Sequence, residues 1–440
     1  MKHVVLKSIL LIVFPLWVSA QKELRFNSLD SLFLFADKNS SVIKINDQQT
    51  LLAKYQKIAA MANVVNLRNP LTFTATNNTQ LPVSFVPAEF LGGRPGTFKE
   101  LTLGQQYVSN FNITPQIDII NAGAWAQIHS ANINEELTAT NNLINTKSLH
   151  ESVAACYYNI ISFREQVGIT QKNIAAADTL VMIVNDKNSL GLVRQQDVND
   201  AVVNKITLED KLKQLQVSLE QQYNSLKILC DVQESTPIVL ADELNYNQSL
   251  NAEMKVNSQL QLRAVQLQAT MARSDLRMNR LLNLPVVSLL YSNSTYQNSN
   301  SQFFDANPNN KWLNSVYLGA KITFFLPDVN HILSSRNSKI SYETSLINLE
   351  HGKLQNEIAN TQLQLDYEKA YSQFFTSQKV FLLKEENYKM AFNQYSQSIL
   401  PFDKLLTAFN DLLTSRCNYS SALANLLYSK SKIEISNKIK

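Results

Sequence analysis

Two stretches of the chain predict helices much longer than those of ordinary globular proteins. Residues 124–190 and 332–400 contain no proline and one glycine each, Gly168 and Gly352. A helix of about 65 residues would be about 100 Å long, because each residue adds about 1.5 Å. In the first stretch, apolar residues recur at steps of four, three and seven, at Val153, Tyr157, Ile160 and Val167.

The second stretch carries two apolar stripes at helical spacing. One stripe is Ile347, Leu354, Ile358 and Leu365, and the other is Leu349, Leu363, Tyr367, Ala370, Phe374 and Phe381. Two narrow seams on one helix indicate two neighbouring helices, as in a wall of coiled coils. An ordinary amphipathic helix in a bundle is the alternative, and it explains one stripe more easily than two.

A pair of strand-like segments precedes the first long helix, at 71–85 and 107–119. Apolar residues alternate with polar ones in both: Leu71, Phe73, Ala75, Leu81, Val83 and Phe85, then Tyr107, Phe111, Ile113, Ile117 and Ile119. The opposite face of the second segment is polar: Asn110, Asn112, Thr114, Gln116 and Asp118. Such alternation is typical of membrane barrel strands, apolar towards lipid and polar towards the lumen. A soluble hairpin is the alternative for either pair taken alone.

A second pair, at 284–297 and 313–326, precedes the second long helix. Its later strand alternates Val316, Leu318, Ala320, Ile322, Phe324 and Leu326 with Tyr317, Gly319, Lys321 and Thr323. The earlier strand is less regular, since Leu290 and Tyr296 fall on the polar side. We expect loops at 87–100 and 298–311 to connect the strands of the two pairs.

The order of helix, two strands, very long helix, turn and helix occurs twice, and such repeats fix an architecture. We divide the chain into a signal peptide (1–20), an N-terminal segment (21–36), a first repeat (37–231, strand pair 70–121), an equatorial linker (232–250), a second repeat (251–435, strand pair 284–327) and a tail (436–440).

The N-terminal residues predict that the protein is exported from the cytoplasm. Lys2, His3 and Lys7 precede an apolar run that ends in small residues at Ala20, the pattern of a secretory signal peptide. A buried helix or a membrane anchor is the alternative, but the run is too short to span a bilayer. No later stretch has the apolar length of a membrane helix, so strands must cross the bilayer if the protein is integral.

Composition excludes several other classes. Basic residues are scattered and the formal net charge is only +4, which argues against a nucleic-acid partner. The three cysteines (Cys156, Cys230 and Cys417) are far apart and favour core positions over a disulfide framework. No histidine lies in a metal motif, and no phosphate loop, nucleophile elbow or C-x-x-C pair occurs. We therefore predict no enzyme activity, no cofactor and no metal.

Two turns end the long helices and share a pattern. Gly191 and Ala201 are ten residues apart, as are Ser398 and Ala408. Glycine permits the left-handed geometry that ends a helix, and an acid near the next N-terminus, at Asp197 or Asp403, favours a restart. Pro401 is suited to a first helical turn.

Both turns resemble the repeated helix-tip motif of the TolC family of outer-membrane efflux proteins. The segments LPVVSL (284–289) and ITFFLP (322–327) also resemble that family, and the resemblance covers about 37–435. It implies a mixed α and β fold: a transmembrane β-barrel shared by a homotrimer, with four strands per chain, continued by a long α-helical coiled-coil barrel in the periplasm. Four strands cannot close a membrane barrel alone, since the smallest have about eight.

The function implied is a passive conduit for small molecules in the outer membrane, in contact with its lipid. A periplasmic adaptor would open it and an inner-membrane pump would supply the energy. A duct for type I protein secretion, and a structural coiled-coil protein of the envelope, are the alternatives.

The resemblance also implies gating residues at the periplasmic tip, with departures from the family. Ser398 replaces the usual second glycine, and Lys404 and Thr407 occupy positions where the family's best-known constriction carries acids. Asp197 and Tyr395 match a family pair thought to bond across the two helix hairpins; a local cap and a packed aromatic are the alternative roles. Our candidates are Gly191, Asp197, Asp200, Tyr395, Ser398 and Asp403.

Overall fold

The structure, a computed structural model, describes residues 23–65, 71–242, 254–324 and 329–439. The predicted signal peptide, residues 243–250 of the predicted linker and the end of the predicted strand at 325–326 lie outside the described residues. The chain divides into two compact units. One is drawn from Met1–Asn46, Leu143–Ser258 and Glu357–Lys440, and the other from Asp47–Asn142 and Gln259–Asn356.

The described residues form seven α-helices and nine strands. The helices are α1 (Leu29–Asn39), α2 (Ser41–Val65), α3 (Ala122–Ser189), α4 (Gln195–Leu229), α5 (Leu260–Leu281), α6 (Val329–Ser396) and α7 (Phe402–Lys438). The strands are β1 (Leu24–Phe26), β2 (Leu71–Asn77), β3 (Val83–Pro87), β4 (Phe98–Thr102), β5 (Tyr107–Ile113), β6 (Gln116–Ile120), β7 (Ile238–Leu240), β8 (Val286–Ser299) and β9 (Leu313–Thr323).

The two very long helices are confirmed. Each of α3 and α6 is one continuous helix of 68 residues, or about 100 Å. Each starts in one compact unit and ends in the other, so the predicted repeats and the compact units divide the chain differently. Within the described residues, no helix combines the length and the apolar character needed to cross a membrane.

In the first unit, apolar clusters lie along the helices. One joins α1, α3 and α4 to the parallel pair β1–β7, around Leu32, Tyr157 and Leu240. A second joins α6 to α7, where Tyr367 and Phe374 are fully buried. The apolar stripe that contains these two residues therefore packs within the chain. The other predicted stripe of α6 is exposed in the single chain, by 70% at Ile347, 54% at Leu354, 58% at Ile358 and 50% at Leu365.

The second unit contains one antiparallel sheet with four strand positions, in the order β2, β5/β6, β8 and β9. β5 and β6 follow one another in the same position. β5 and β6 share one register against β8, since Ile113 pairs with Asn293 and Gln116 with Leu290. Pro115 lies between them and has no N–H to donate, although its carbonyl accepts a bond from the Tyr291 N–H at 3.0 Å. β5 and β6 together therefore correspond to the single strand predicted at 107–119, which is interrupted at Pro115.

The first predicted strand differs from the expectation. It ends at Asn77, and residues 83–87 and 98–102 pair with each other as a separate hairpin, β3–β4. Polar residues and Pro82 follow Asn77 and interrupt the alternation that continues at Val83. The region expected as a loop, 87–100, therefore contains a 3₁₀ turn (Ala88–Leu91) and the start of β4.

Candidate functional site: the helix-tip turns and the two-faced sheet

The two tip turns close in the same way. At the first, the Leu192 N–H donates to the Lys187 carbonyl at 2.9 Å; at the second, the Ile399 N–H donates to the Gln394 carbonyl at 2.9 Å. Gly191 and Ser398 occupy equivalent places and both have positive φ, 70° and 60°. This 6→1 bond around a left-handed residue is the Schellman arrangement that ends helices. Ser398 thus adopts the glycine conformation with a side chain present.

Asp197 is buried, and its carboxylate is occupied within its own hairpin. The Arg194 backbone N–H donates to Asp197 Oδ2 at 3.0 Å, and the Arg194 guanidinium donates to Oδ1 at 3.1 Å. Asp197 therefore caps the first turn of α4 from position N3. The sequence analysis did not predict a role for Arg194. The contact could have been predicted, because Arg194 lies three residues before the acid that caps the helix.

Tyr395 lies in the apolar cluster that both tips share, where it is 4% exposed. Its hydroxyl has no hydrogen-bond partner among the described residues, so the expected bond to Asp197 is not formed in the single chain. Burial, and secondarily the charge of Asp197, raise the pKa of the Tyr395 hydroxyl above its usual range. The two residues are therefore near enough to interact electrostatically without bonding.

Lys187 connects the first tip to the second. Its Nζ lies 4.0 Å from the centre of the Tyr395 ring and donates to the Tyr395 carbonyl at 3.4 Å. Both contacts join α3 to α6, and an ammonium over an aromatic ring is attractive. Sequence reasoning missed this residue because a lysine in the last turn of a helix is already explained by the helix dipole.

The remaining tip candidates lie near water. Asp403 is exposed, with its carboxylate 3.8 Å from Lys404 Nζ, and Thr407 donates to the Asp403 carbonyl. Asp200 is half-buried and lines a cavity of about 660 Å³ together with Lys211 and Leu406. Among the described residues, no group of three or more histidine, cysteine or acidic side chains is placed to hold a metal ion.

The sheet has one polar and one apolar face, as the alternation predicts. On the polar face, Ser292 and Ser294 donate to Asn112 and Asn110 at 3.3 and 2.8 Å. Ser288 donates to the buried Asp118 at 2.7 Å, and the register places Leu290 and Tyr296 on this same face. On the apolar face, side chains are exposed in the single chain: Leu71, Phe73, Phe111, Ile113, Ile117, Leu289, Val316, Leu318 and Ile322.

Aromatic rings cover the apolar face near the β8–β9 connection. Phe73 and Phe304 have ring centres 5.3 Å apart, and Phe111 and Trp312 have centres 5.8 Å apart. The connection is held in place by Asp305, which accepts bonds from Ser299, Ser301 and Asn310 and from the backbone N–H of Asn307. These bonds hold the pKa of the Asp305 carboxyl well below its usual range.

These features define a fold class that combines a sheet with one polar and one apolar face and two helices of about 100 Å. The outer membrane protein VceC of Vibrio cholerae has this fold, with a TM-score of 0.71 at 14% identity over 93% of this chain and 95% of that one. The Campylobacter jejuni CmeC outer membrane channel gives 0.73 at 12% identity over 93% and 85%. The open state of the Neisseria gonorrhoeae MtrE outer membrane channel gives 0.70 at 13% identity over 93% and 88%.

No protein-family model and no curated protein matches the sequence. At identities of 12–14% the structural likeness shows the fold alone. The mixed α and β fold of the single chain that the resemblance to the TolC family implies, with very long helices and a four-stranded sheet, is confirmed.

Proposed function

We propose that three copies of this chain form a duct in the outer membrane that conducts small molecules out of the cell. The observation that carries the proposal is the sheet, which has two open edges and two unlike faces. β2 pairs with β5 and β9 pairs with β8, and neither has a second partner within the described residues. Unpaired strand edges cannot be left in lipid, where only closed barrels satisfy a strand's backbone.

Closure of the sheet therefore requires other copies. Two copies would supply eight strands, and such a barrel is filled by side chains; three copies would supply twelve and leave a lumen. The polar face, with its hydroxyl and amide network, would line that lumen, and the exposed apolar face would contact lipid. The exposed stripe on α6, from Ile347 to Leu365, would pack against a neighbouring copy below the barrel.

The sequence contains no phosphate-binding loop that would bind an energy source such as ATP. A pump in the inner membrane would supply the energy, and a periplasmic adaptor would bias the tip towards its open state. The fold shared with outer-membrane channels supports this proposal.

Membrane fractionation with cysteine labelling tests the proposal. The protein should be found in the outer membrane as a trimer that dissociates on heating, and a reconstituted trimer should conduct ions. Arg94→Cys in the β3–β4 hairpin and Ala306→Cys in the β8–β9 connection, both at exposed positions, should react with an impermeant thiol reagent on whole cells. Gly93 is a poor site, because a Cβ there would lie 2.7 Å from the Ala88 Cβ.

Leu192→Cys at the tip is the matched control, since Leu192 is 68% exposed. It should react only after the outer membrane is permeabilised. The unaltered chain corrects for background, because Cys156 and Cys230 are buried and Cys417 is half-buried. A soluble periplasmic pool, or labelling of Leu192→Cys but not of the other two variants on intact cells, would rule the proposal out.

A further inference from the structure

An open cleft of about 510 Å³ lies where β6 joins α3, beside the end of α5. Ile119, Ile120, Trp125 and Leu281 form its apolar walls, and Trp125 is 63% exposed. The register of β6 shifts between Asp118 and Ile120. Such a bulge breaks the alternation of side chains, and two consecutive isoleucines are exposed and line the cleft.

The cleft has a cation at its rim. Arg277 lines it, and Arg273 and Arg280 are exposed on the same last turns of α5. Within the described part of the chain, none of these three arginines forms a salt bridge, whereas lysines elsewhere pair with nearby acids. An unpaired guanidinium beside an apolar cleft is complementary to a ligand with an anionic head and an apolar tail.

The cleft also continues the apolar face of the sheet. Ile117 and Ile119 belong to that face, and Asn121 caps α3 directly after β6 by accepting a bond from the Ala124 N–H at 3.0 Å. In the proposed duct, this junction is the place where the strand leaves the membrane on the periplasmic side. Tryptophan is enriched at such boundaries, where its ring spans apolar chains and polar headgroups.

We propose that the cleft binds a phospholipid of the periplasmic leaflet. Its acyl chain would pack against Ile119, Ile120, Trp125 and Leu281, and its phosphate would accept hydrogen bonds from Arg277. Arginine suits a phosphate because its planar fork can donate two parallel bonds. The inference rests on the proposed position of the sheet in the membrane.

Tryptophan fluorescence tests the site, because Trp125 and Trp312 are the only tryptophans outside the predicted signal peptide. In the Trp312→Phe variant, Trp125 alone reports on the cleft. We expect phosphatidylglycerol with brominated acyl chains, added to the detergent-solubilised trimer, to quench Trp125 in a saturable way. Arg277→Gln should raise the half-saturating concentration about fivefold, since a charge-assisted bond to phosphate is lost.

Two controls isolate the headgroup contact. Arg273→Gln removes a neighbouring exposed arginine that does not line the cleft and should leave the half-saturating concentration unchanged. Brominated diacylglycerol has the same chains without phosphate; it should bind more weakly and be insensitive to Arg277→Gln. Quenching that does not saturate, or that is equal in the Arg277→Gln variant and its parent, would show contact with bulk lipid only and overturn the site.

The same measurement in liposomes of brominated phospholipid separates this inference from the proposed function. The Trp125→Phe variant reports on Trp312, which lies on the apolar face beside Phe111. Quenching of Trp312 without quenching of Trp125 would overturn the lipid site and retain the duct. Absence of both would overturn the membrane position itself. Quenching of Trp125 only after the trimer is dissociated would mean that a second copy covers the cleft, which also overturns the site.

Discussion

At the scale of single residues, the first tip turn shows which of two possible partners the Asp197 carboxylate binds. Asp197 was expected to bond with Tyr395, but its two oxygens accept bonds from the backbone and the guanidinium of Arg194. The buried Tyr395 hydroxyl has no hydrogen-bond partner among the described residues, and the polar contact from the first hairpin to Tyr395 is made by Lys187. The gating role of the tip residues stays a prediction, with Lys187 added to it.

We predict that Lys187→Met raises the open probability of the reconstituted channel, because it removes the ammonium from the ring and the carbonyl of Tyr395. The two contacts together are worth about 1 kcal/mol per chain near water. Three copies would then change the ratio of open to closed channels roughly a hundredfold. Single-channel recording in planar bilayers measures the effect.

Two variants serve as controls for the Lys187 prediction. Lys187→Arg keeps the charge and should behave like the parent. Tyr395→Phe removes a hydroxyl that has no hydrogen-bond partner in the described part of the chain, and it should also leave the open probability unchanged. An increased open probability in Tyr395→Phe, together with an unaffected Lys187→Met, would instead support a bond between Tyr395 and Asp197 in the assembled channel.

At the scale of elements, the sequence specified the helices and the faces of the strands well. Long runs without proline predicted α3 and α6 to within a few residues, because few signals compete with a helix in such runs. The break at Pro115 and the hairpin β3–β4 were missed, because the apolar residues keep the same phase on both sides of each interruption, and this phase carries no information on where hydrogen bonds stop. Only one sequence feature indicates the left-handed conformation of Ser398. Ser398 lies as far before Ala408 as Gly191 lies before Ala201.

Gly191→Ala should loosen the first tip turn. Its φ is +70°, and a Cβ would meet nothing within 4 Å, so the cost is that of the backbone alone, about 1 kcal/mol. We expect the Leu192 amide, which closes the turn, to exchange its hydrogen about fivefold faster. Hydrogen exchange followed by mass spectrometry measures this.

Gly168→Ala is the matched control, because Gly168 lies in the interior of α3 and also has open space at its Cβ. Alanine is the better helix former, so local exchange should slow there. Faster exchange in both variants would mean that the tip has no special need for glycine.

At the scale of the whole molecule, the single chain exposes apolar surface that it cannot cover. The outer face of the sheet and the stripe of α6 are both uncovered, and both strand edges of the sheet are open within the described residues. In the proposed duct, lipid would cover the apolar face of the sheet, and other copies would cover the stripe of α6 and the two strand edges.

Charge placed on the two faces of the sheet should have unequal effects. Phe111→Arg and Ile322→Arg put a cation on the apolar face, at a cost of about 2–4 kcal/mol per chain at the bilayer midplane. Asn112→Arg adds the same charge to the polar face, which already carries Lys321 next to Ile322. The yield of heat-sensitive trimer in the outer membrane should therefore fall for the first two variants and be nearly kept for the third. Equal yields for all three would remove the assignment of the faces.

The equal length of α3 and α6 has a consequence for how this protein can change over time. Both helices have 68 residues and run from a strand to a tip turn, where Val198 and Ala201 share one cluster with Tyr395 and Phe402. Seven residues inserted into only one helix would carry its turn roughly 10 Å past the other and separate that cluster. Insertions and deletions should therefore be tolerated only in matched pairs, one in each half of the chain. The lengths of α3 and α6 are therefore expected to change together during evolution, although separate parts of the sequence encode the two helices.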